Sequence, residues 1–155
     1  MPRWQASGKR GWQNTVKVLI DTNVIIDFLE NRMPFALQAE ELIEHCVMGR
    51  MKGALTASAA TDIYYILHKP IGHEQLLKQL RLLFTDLEVI AVGLKELLLA
   101  MDTGFDDYED SLVSVCAQKI EADFVITRNT KHFSRSLIPP LTPTEFLANW
   151  NTHVQ

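Results

Sequence analysis

The chain has 155 residues, of which 47% are hydrophobic and 22% charged, so it can bury one core but is too short for two ordinary domains. Lys and Arg total 15 against 19 Asp and Glu, which gives a formal charge of −4. This balance excludes a global basic field of the kind that attracts nucleic acid, so any polyanion must be bound locally or through cations. No apolar stretch reaches the roughly 20 residues that span a bilayer, and the first residues do not resemble a signal peptide.

The two cysteines, Cys46 and Cys116, lie in apolar segments with helical spacing, and neither belongs to a CxxC pair. This usage is typical of buried, reduced thiols and argues against a zinc site. We therefore expect a cytoplasmic protein.

Residues 1–14, MPRWQASGKRGWQN, are polar, basic and without periodicity, which predicts a flexible arm. Two interpretations stay open. Its Arg, Lys and Trp side chains would contact nucleic acid by charge and stacking, or the segment is an unstructured or vector-derived end. We assign residues 15–150 to one domain and residues 151–155 to a C-terminal tail.

From Val16 onward, short apolar runs alternate with amphipathic segments. The apolar runs predict four strands, at Val16–Asp21, Gly53–Thr56, Glu88–Ala91 and Phe124–Thr127. The segments between them have apolar residues at helical spacing, and a last helix near Thr144–Asn149 follows three prolines that act as breakers. Strands that alternate with helices pair in parallel through right-handed crossovers. The sequence thus predicts an α/β protein, a three-layer α/β/α sandwich with a central parallel sheet.

Asp21 is the most informative residue, because it places a carboxylate directly after an apolar run. A buried charge is costly unless it meets a cation or is hydrogen bonded by backbone amides. Ligands of open parallel sheets bind beyond the carboxyl ends of the strands, so the other strand ends matter equally. The acids and amide that follow the strands or open a later helix are Asp62, Asp106, Asp107, Glu109, Asp110 and Asn129.

Each acid also has a purely structural interpretation. Asp62 would lie in the first turn of a helix capped by Ser58, where a negative side chain complements the helix dipole, and the group Asp106–Asp110 would do the same later. Asp27 and Glu30 fit a solvated helix surface. Convergence favours function, since three segments would bring carboxylates to one sheet edge, where they repel unless a divalent cation lies among them. Oxygen ligands without a His or Cys cluster select Mg²⁺ or Mn²⁺, which suit phosphodiester hydrolysis.

Four segments in this order, LIDTNVIIDFL, ASAATDIYYIL, DYEDSLVSVCA and ADFVITRNTKHF, resemble the PIN domain, a family of metal-dependent ribonucleases that includes many prokaryotic toxins. The similarity runs from Val16 to Trp150. NRMPF, DIYYIL and LTPTEFL are closest to one bacterial PIN subgroup. The resemblance implies a parallel sheet with helices on both sides, an acidic pocket that binds Mg²⁺ or Mn²⁺, an RNA substrate, an antitoxin partner and a homodimer.

Position by position, the resemblance matches Asp21 to the first family acid and Asp110 to the acid that opens the later helix. Asp62 falls where the family usually has a second acid, most often glutamate. Asn129 occupies a place where many members carry aspartate, and His132 is near another position that is often acidic. These exchanges remove negative charge and should weaken metal binding unless Asp107 or Asp106 compensates.

Other residues near the predicted strand ends have two interpretations each. Thr22, Asn23 and Thr127 would orient waters or carboxylates, or Thr22 and Asn23 would only cap a helix. The three basic residues after the last strand would contact phosphates or simply be solvated; they are Arg128, Lys131 and Arg135.

Two functional hypotheses follow. The first is a divalent-metal-dependent endoribonuclease, the toxin of a toxin–antitoxin pair, in which Asp21 and Asp110 hold the metal, Asp62 and Asp107 assist, and Asn129 completes the catalytic pocket. The second is a catalytically impaired PIN domain that binds RNA or a protein. The absence of GxSxG, Walker and GxGxxG motifs argues against acyl hydrolysis, nucleotide hydrolysis and dinucleotide binding. A phosphoryl-accepting aspartate lacks the expected lysine and acidic partners at other strand ends.

Overall fold

The protein was analysed as a computed structural model that describes residues 15–154, with side chains described for residues 15–152. The predicted basic arm, residues 1–14, lies outside the described residues. Five strands are present in this part of the chain: β1 Lys17–Ile20, β2 Lys52–Thr56, β3 Glu88–Ile90, β4 Phe124–Ile126 and β5 Pro140–Leu141. The helices of the same residues are α1 Thr22–Leu29, α2 Ala36–Val47, α3 Ala57–Ile71, α4 His73–Asp86, α5 Leu94–Met101, α6 Tyr108–Lys119 and α7 Pro143–Val154, with a 3₁₀ turn at Thr130–Phe133.

The five strands form one parallel sheet in the order β3-β2-β1-β4-β5. Strand β1 lies between β2 and β4, and Val18 is level with Gly53 on one side and with Phe124 on the other. The chain first builds outward from β1 through β2 to β3 and then crosses back to add β4 and β5 on the opposite side. Strand order therefore reverses at β1 and β4, which is where ligands of such sheets bind.

Alternate residues of the strands face two separate apolar cores. Val18 and Ile20 of β1 pack with α1, α2, α3, α4 and α7, while Leu19 packs on the other side with α5 and α6. Because both faces of the sheet are covered, its strands are apolar runs rather than alternating ones. The predicted three-layer α/β/α sandwich with a parallel sheet is confirmed.

Gly53 allows β2 to approach its neighbours closely. A Cβ atom at this position would lie 2.6 Å from Cδ2 of Leu87 and 2.7 Å from Sγ of Cys46. Both neighbours are buried, so there is little room for them to move aside. The glycine is required here by packing and not by its backbone conformation.

The carboxyl-terminal part of the chain differs from the prediction. The segment assigned to helix-breaking prolines contains β5, an edge strand, and proline is tolerated at an edge because it needs no ladder N–H on the solvent side. Helix α7 begins at Pro143 and continues to Val154, so it runs through the predicted limit of the domain at residue 150. No helix among residues 15–154 is long and apolar enough to cross a membrane.

Candidate functional site

A cleft of about 450 Å³ opens at the carboxyl edge of the sheet, at the point where strand order reverses. It is lined by five carboxylates, two basic side chains and a few polar and apolar groups: Asp21, Thr22, Asn23, Ile26, Arg32, Asp62, Tyr65, Ile66, Asp107, Glu109, Asp110, Asn129 and His132. All five residues predicted for the site, Asp21, Asp62, Asp107, Asp110 and Asn129, are in this lining, whereas Asp106 is not.

Asp21 lies at the bottom of the cleft, with only 6% of its surface exposed. It is the first residue after β1 and the N-cap of α1, and its extended backbone connects the apolar strand to the helix. Oδ1 accepts a hydrogen bond from the backbone N–H of Thr22 at 2.8 Å. Oδ2 accepts two more, from Oγ1 of Thr127 at 2.8 Å and from Nδ2 of Asn23 at 3.1 Å. The carboxylate is thus held in one orientation by groups from both β1 and β4 ends.

Three kinds of interaction act on the pKa of Asp21 in opposite directions. Burial raises the pKa most, and the nearby charge of Asp110 raises it further, whereas the hydrogen bonds from Thr127, Thr22 and Asn23 lower it. The net effect is a raised pKa. The positive charge that the described residues bring near Asp21 is therefore too small to compensate its burial.

Asp62 reaches the cleft from α3, but not from the position that the sequence suggested. The N-cap of α3 is Thr56, whose Oγ1 accepts a hydrogen bond from the backbone N–H of Ala59 at 3.1 Å. The predicted cap at Ser58 is wrong, because β2 leads directly into the helix at Ala57. Asp62 consequently lies in the second turn, beyond the free amides that favour a negative charge, so capping does not account for it.

Asp107 and Asp110 have different roles at the start of α6. Asp107 is the N-cap, and its Oδ1 accepts a hydrogen bond from the backbone N–H of Asp110 at 2.9 Å. The side chain of Asp110 lies 3.2 Å from Nδ1 of His132. Burial, and after it the charge of Asp107, raise the pKa of Asp110, and His132 opposes them.

Glu109 also lines the cleft; the sequence placed it in the acidic group but did not assign it a role in the site. Desolvation there together with the charges of Asp62, Asp21, Asp107 and Asp110 raises its pKa to about 7. Its place in the acidic run DDYED was visible in the sequence, but helical spacing had favoured its neighbours. The first turn of α6 brings Glu109 near the acids of the other two segments.

The donor chemistry of the cleft fits a hard divalent cation. Among residues 15–152, the basic side chains that line the cleft with its five carboxylates are Arg32 and His132, and the pKa values of Asp21, Glu109 and Asp110 are all raised. Carboxylate oxygens are the ligands that Mg²⁺ and Mn²⁺ prefer. In the side-chain positions of residues 15–152, however, no three His, Cys, Asp or Glu side chains stand close enough to hold one ion together.

Two further predictions are corrected by the geometry. Asp27, expected on a solvated surface, is only 1% exposed, and its Oδ2 lies 2.8 Å from Nε of Arg128. Arg128 was expected to contact phosphates or solvent, but its guanidinium is paired with Asp27 and lies 4.3 Å from the ring centre of Phe35. Such a pair joins distant parts of the chain, which is why helical spacing alone did not reveal it. Asn129 and His132 do line the cleft.

Comparisons with known proteins agree with this architecture. The protein Ribonuclease VapC1 of Aquifex aeolicus (strain VF5) is 31% identical over 144 residues, which covers 90% of this chain and 99% of the relative. A chain of VapBC-1 from nontypeable Haemophilus influenzae superposes with a TM-score of 0.64 at 18% identity, covering 83% of this chain and 99% of that one. A chain of a toxin–antitoxin complex from Klebsiella pneumoniae gives a TM-score of 0.62 at 20% identity, covering 81% and 97%.

The two structural similarities establish the fold only, because their sequence identities are low. The sequence similarity is more specific: a family model for the PIN domain matches residues 17–131, a range that includes Asp21, Asp62, Asp110 and Asn129. Together with a relative that is similar over nearly its whole length, this match identifies the family. The chain belongs to the PIN-domain family.

Proposed function

We propose that this protein is an endoribonuclease that hydrolyses RNA phosphodiester bonds with the help of Mg²⁺ or Mn²⁺. The observation that carries the proposal is the acidic cleft at the strand-order reversal, with the buried Asp21 at its base. Further support comes from the relative named a ribonuclease, which is similar over nearly its full length.

Asp21 and Asp110 would hold the cation, with Asp62 and Asp107 on the other walls of the cleft and Glu109 as an additional acid. When bound, a divalent cation supplies activation of an attacking water and stabilisation of the leaving oxygen. The protein itself holds the carboxylate ligand in a fixed orientation. Thr127 and Asn23 fix the orientation of Asp21, so that its carboxylate does not have to reorganise when charge develops in the cleft.

The cleft is also suited to a nucleic-acid strand in an otherwise acidic protein. A divalent cation among the carboxylates would offset part of their negative charge and coordinate a substrate phosphate. Tyr65 and Ile66 lie on the lining of the cleft, one turn beyond Asp62 on α3, and Tyr65 is 79% exposed. An exposed aromatic ring next to the phosphate site gives a base a surface on which to stack.

Cleavage of RNA by the purified protein tests the proposal. We expect cleavage in Mg²⁺ or Mn²⁺, loss of cleavage with EDTA, and loss of cleavage in Asp21→Asn without unfolding. The control is Asp86→Asn, an exposed acid at the end of α4, which Leu87 separates from β3, at the opposite edge of the sheet from the cleft. Equal degradation by the wild type and Asp21→Asn would mean contamination and would refute the proposal.

A second candidate is a catalytically impaired PIN domain that binds RNA or a protein partner. It is favoured by Asn129 and His132, which line the cleft where family resemblance leads us to expect acids. This candidate predicts retention of RNA without cleavage. In Asn129→Asp, Mn²⁺ should bind more tightly if the exchange weakened an ancestral site, and unchanged affinity would count against that explanation.

The proposed ribonuclease would act as the toxin of a toxin–antitoxin pair. The support is the fold shared with chains of complexes from Klebsiella pneumoniae and Haemophilus influenzae. Co-expression with the product of a neighbouring small gene should relieve growth inhibition and yield a complex on purification. The cytoplasmic location and the homodimer stay predictions, and light scattering tests the latter.

A further inference from the structure

Asp27, which is buried, forms an ion pair with the partly exposed Arg128 beside the cleft but outside its lining. Asp27 lies on α1 with 1% exposure, and its Oδ2 is 2.8 Å from Nε of Arg128. Its other oxygen, Oδ1, accepts no hydrogen bond from the part of the chain that the structure describes. The ring of Phe35, 4.3 Å from the guanidinium carbon, lies against the pair. Arg128 is thus the main group that compensates the charge of Asp27, and the charge of Arg32 adds to it.

Arg128 directly follows Thr127, and the short segment 127–129 connects the ion pair to the bottom of the cleft. The backbone N–H of Arg128 donates to Oδ1 of Asn23 at 3.3 Å, and that of Asn129 donates to Oγ1 of Thr127 at 3.0 Å. Asn23 and Thr127 are the two side chains that donate to Oδ2 of Asp21. One continuous network thus runs from Asp27 to the candidate metal ligand.

Stability alone is a weak reason for such a pair. The desolvation of the Asp27 carboxylate offsets much of its attraction to the partly exposed Arg128, and apolar replacements of ion pairs with buried members often leave proteins as stable as before. A surface role for Arg128 in phosphate binding fits no better, since its guanidinium is engaged between Asp27 and Phe35. The hydrogen-bond connection to Asp21 gives the ion pair a specific role.

We propose that Asp27 and Arg128 are positioning residues, whose ion pair fixes segment 127–129 so that Thr127 and Asn23 hold the Asp21 carboxylate ready for a divalent cation. The effect on cation binding rests on the proposed function. The effect on segment 127–129 does not, because the mobility of that segment can be measured in the protein without metal. Partners of this kind behind a ligand typically contribute 10–100-fold to metal affinity.

Asp27→Asn tests the proposal with two measurements on the folded protein. Amide hydrogen exchange, followed by NMR without metal, should become at least about ten-fold faster at Arg128 and Asn129, whose N–H groups are tied to this network. Calorimetric titration should show Mn²⁺ affinity lowered by about ten-fold. In RNA cleavage, a loss of positioning should lower kcat more than it raises KM.

The matched control is Glu96→Gln. Glu96 is also buried, pairs with Lys119 at 3.1 Å and accepts a hydrogen bond from the N–H of Gly93 at 2.8 Å, but it is not part of the cleft. This variant should leave exchange at residues 128 and 129, and Mn²⁺ affinity, within about two-fold of the wild type. If it accelerates exchange there as much as Asp27→Asn does, the effect is general destabilisation and the proposal is overturned.

Arg128→Lys is the second variant, and it tests the proposal in the case that Asp27→Asn does not fold. Lysine keeps the charge but lacks the planar fork and the stacking on Phe35, so exchange at residues 128 and 129 should again be faster. Unchanged exchange in the folded variants, or a raised KM as the sole effect, overturns the proposal. If the wild type neither binds Mn²⁺ nor cleaves RNA, the proposed function fails, and the exchange data alone then support or overturn the positioning role.

Discussion

Replacement of Thr127 by valine isolates the role of one hydroxyl at the bottom of the cleft. Thr127 is completely buried, and its Oγ1 donates to Asp21 at 2.8 Å while it accepts from the N–H of Asn129 at 3.0 Å. Valine has nearly the same shape, so Thr127→Val removes the hydrogen bonds without leaving a large cavity. The Asp21 carboxylate would lose its one hydroxyl donor among the described residues.

The expected loss of stability follows from the charge of the acceptor. Hydrogen bonds to charged groups contribute about 1.5–3 kcal/mol, which for a chain of this size corresponds to a fall in Tm of roughly 3–12 °C. Mn²⁺ affinity should fall by about ten-fold, because the ligand is no longer held in one orientation. Urea unfolding at pH 7 and calorimetric titration with Mn²⁺ measure the two effects.

Thr56→Val is the control, since Thr56 is an equally buried threonine at the end of a neighbouring strand. Its hydroxyl caps α3 through the N–H of Ala59 and does not touch an acid of the cleft. Loss of the cap should cost about 1 kcal/mol and leave Mn²⁺ affinity within about two-fold. The reasoning is refuted if Thr127→Val binds Mn²⁺ like the wild type and is destabilised no more than Thr56→Val.

Three further predictions concern packing, RNA and the thiols. Gly53→Ala should lower the unfolding free energy by about 1–3 kcal/mol in urea titrations, because its Cβ would lie 2.7 Å from Sγ of Cys46; wild-type stability would show that β2 can shift. Tyr65→Ala should weaken binding of single-stranded RNA by about 1–3 kcal/mol in a filter or fluorescence assay. The control is Leu82→Ala, which removes an exposed side chain outside the cleft and should leave RNA binding unchanged. Equal effects of the two substitutions would contradict stacking of a base on Tyr65. Burial, with smaller effects of nearby charges, raises the pKa of Cys46 to about 12 and that of Cys116 to about 11. A thiol reagent at pH 8 should therefore label the native protein far more slowly than the unfolded one. Equal labelling rates would contradict the burial of the two thiols.

The prediction of the fold from sequence succeeded where the pattern is local. The four apolar runs correspond to β1–β4 within one residue at each end, because strands covered on both faces are nearly continuous in Val, Ile and Leu. The fifth strand was missed because Pro140–Leu141 is short and contains a proline, and its pairing with β4 is a tertiary contact.

The prediction of the site was limited in the same way. That Asp62 and Asp110 share a cleft with Asp21 followed from the rule that parallel strands end at one edge, and all three residues line that cleft. Glu109 was named in the acidic group but not assigned to the site, because its direction depends on how α6 packs. Asp27 was expected on the surface, and the tertiary structure shows that Arg128, with a smaller effect of Arg32, compensates its charge in a buried place.

The sequence by itself determined the parallel α/β architecture, the family and the strand end at which the acids gather, because these depend on hydrophobic periodicity and on local motifs. The tertiary structure alone decided which charged groups are buried and what compensates them. Electrostatic energies depend on distances between residues that are remote in the chain and on their exclusion from water, and neither quantity is contained in a local pattern. For Asp21, the sequence supplied the position, and the fold supplied Thr127, Asn23 and the four other carboxylates of the cleft.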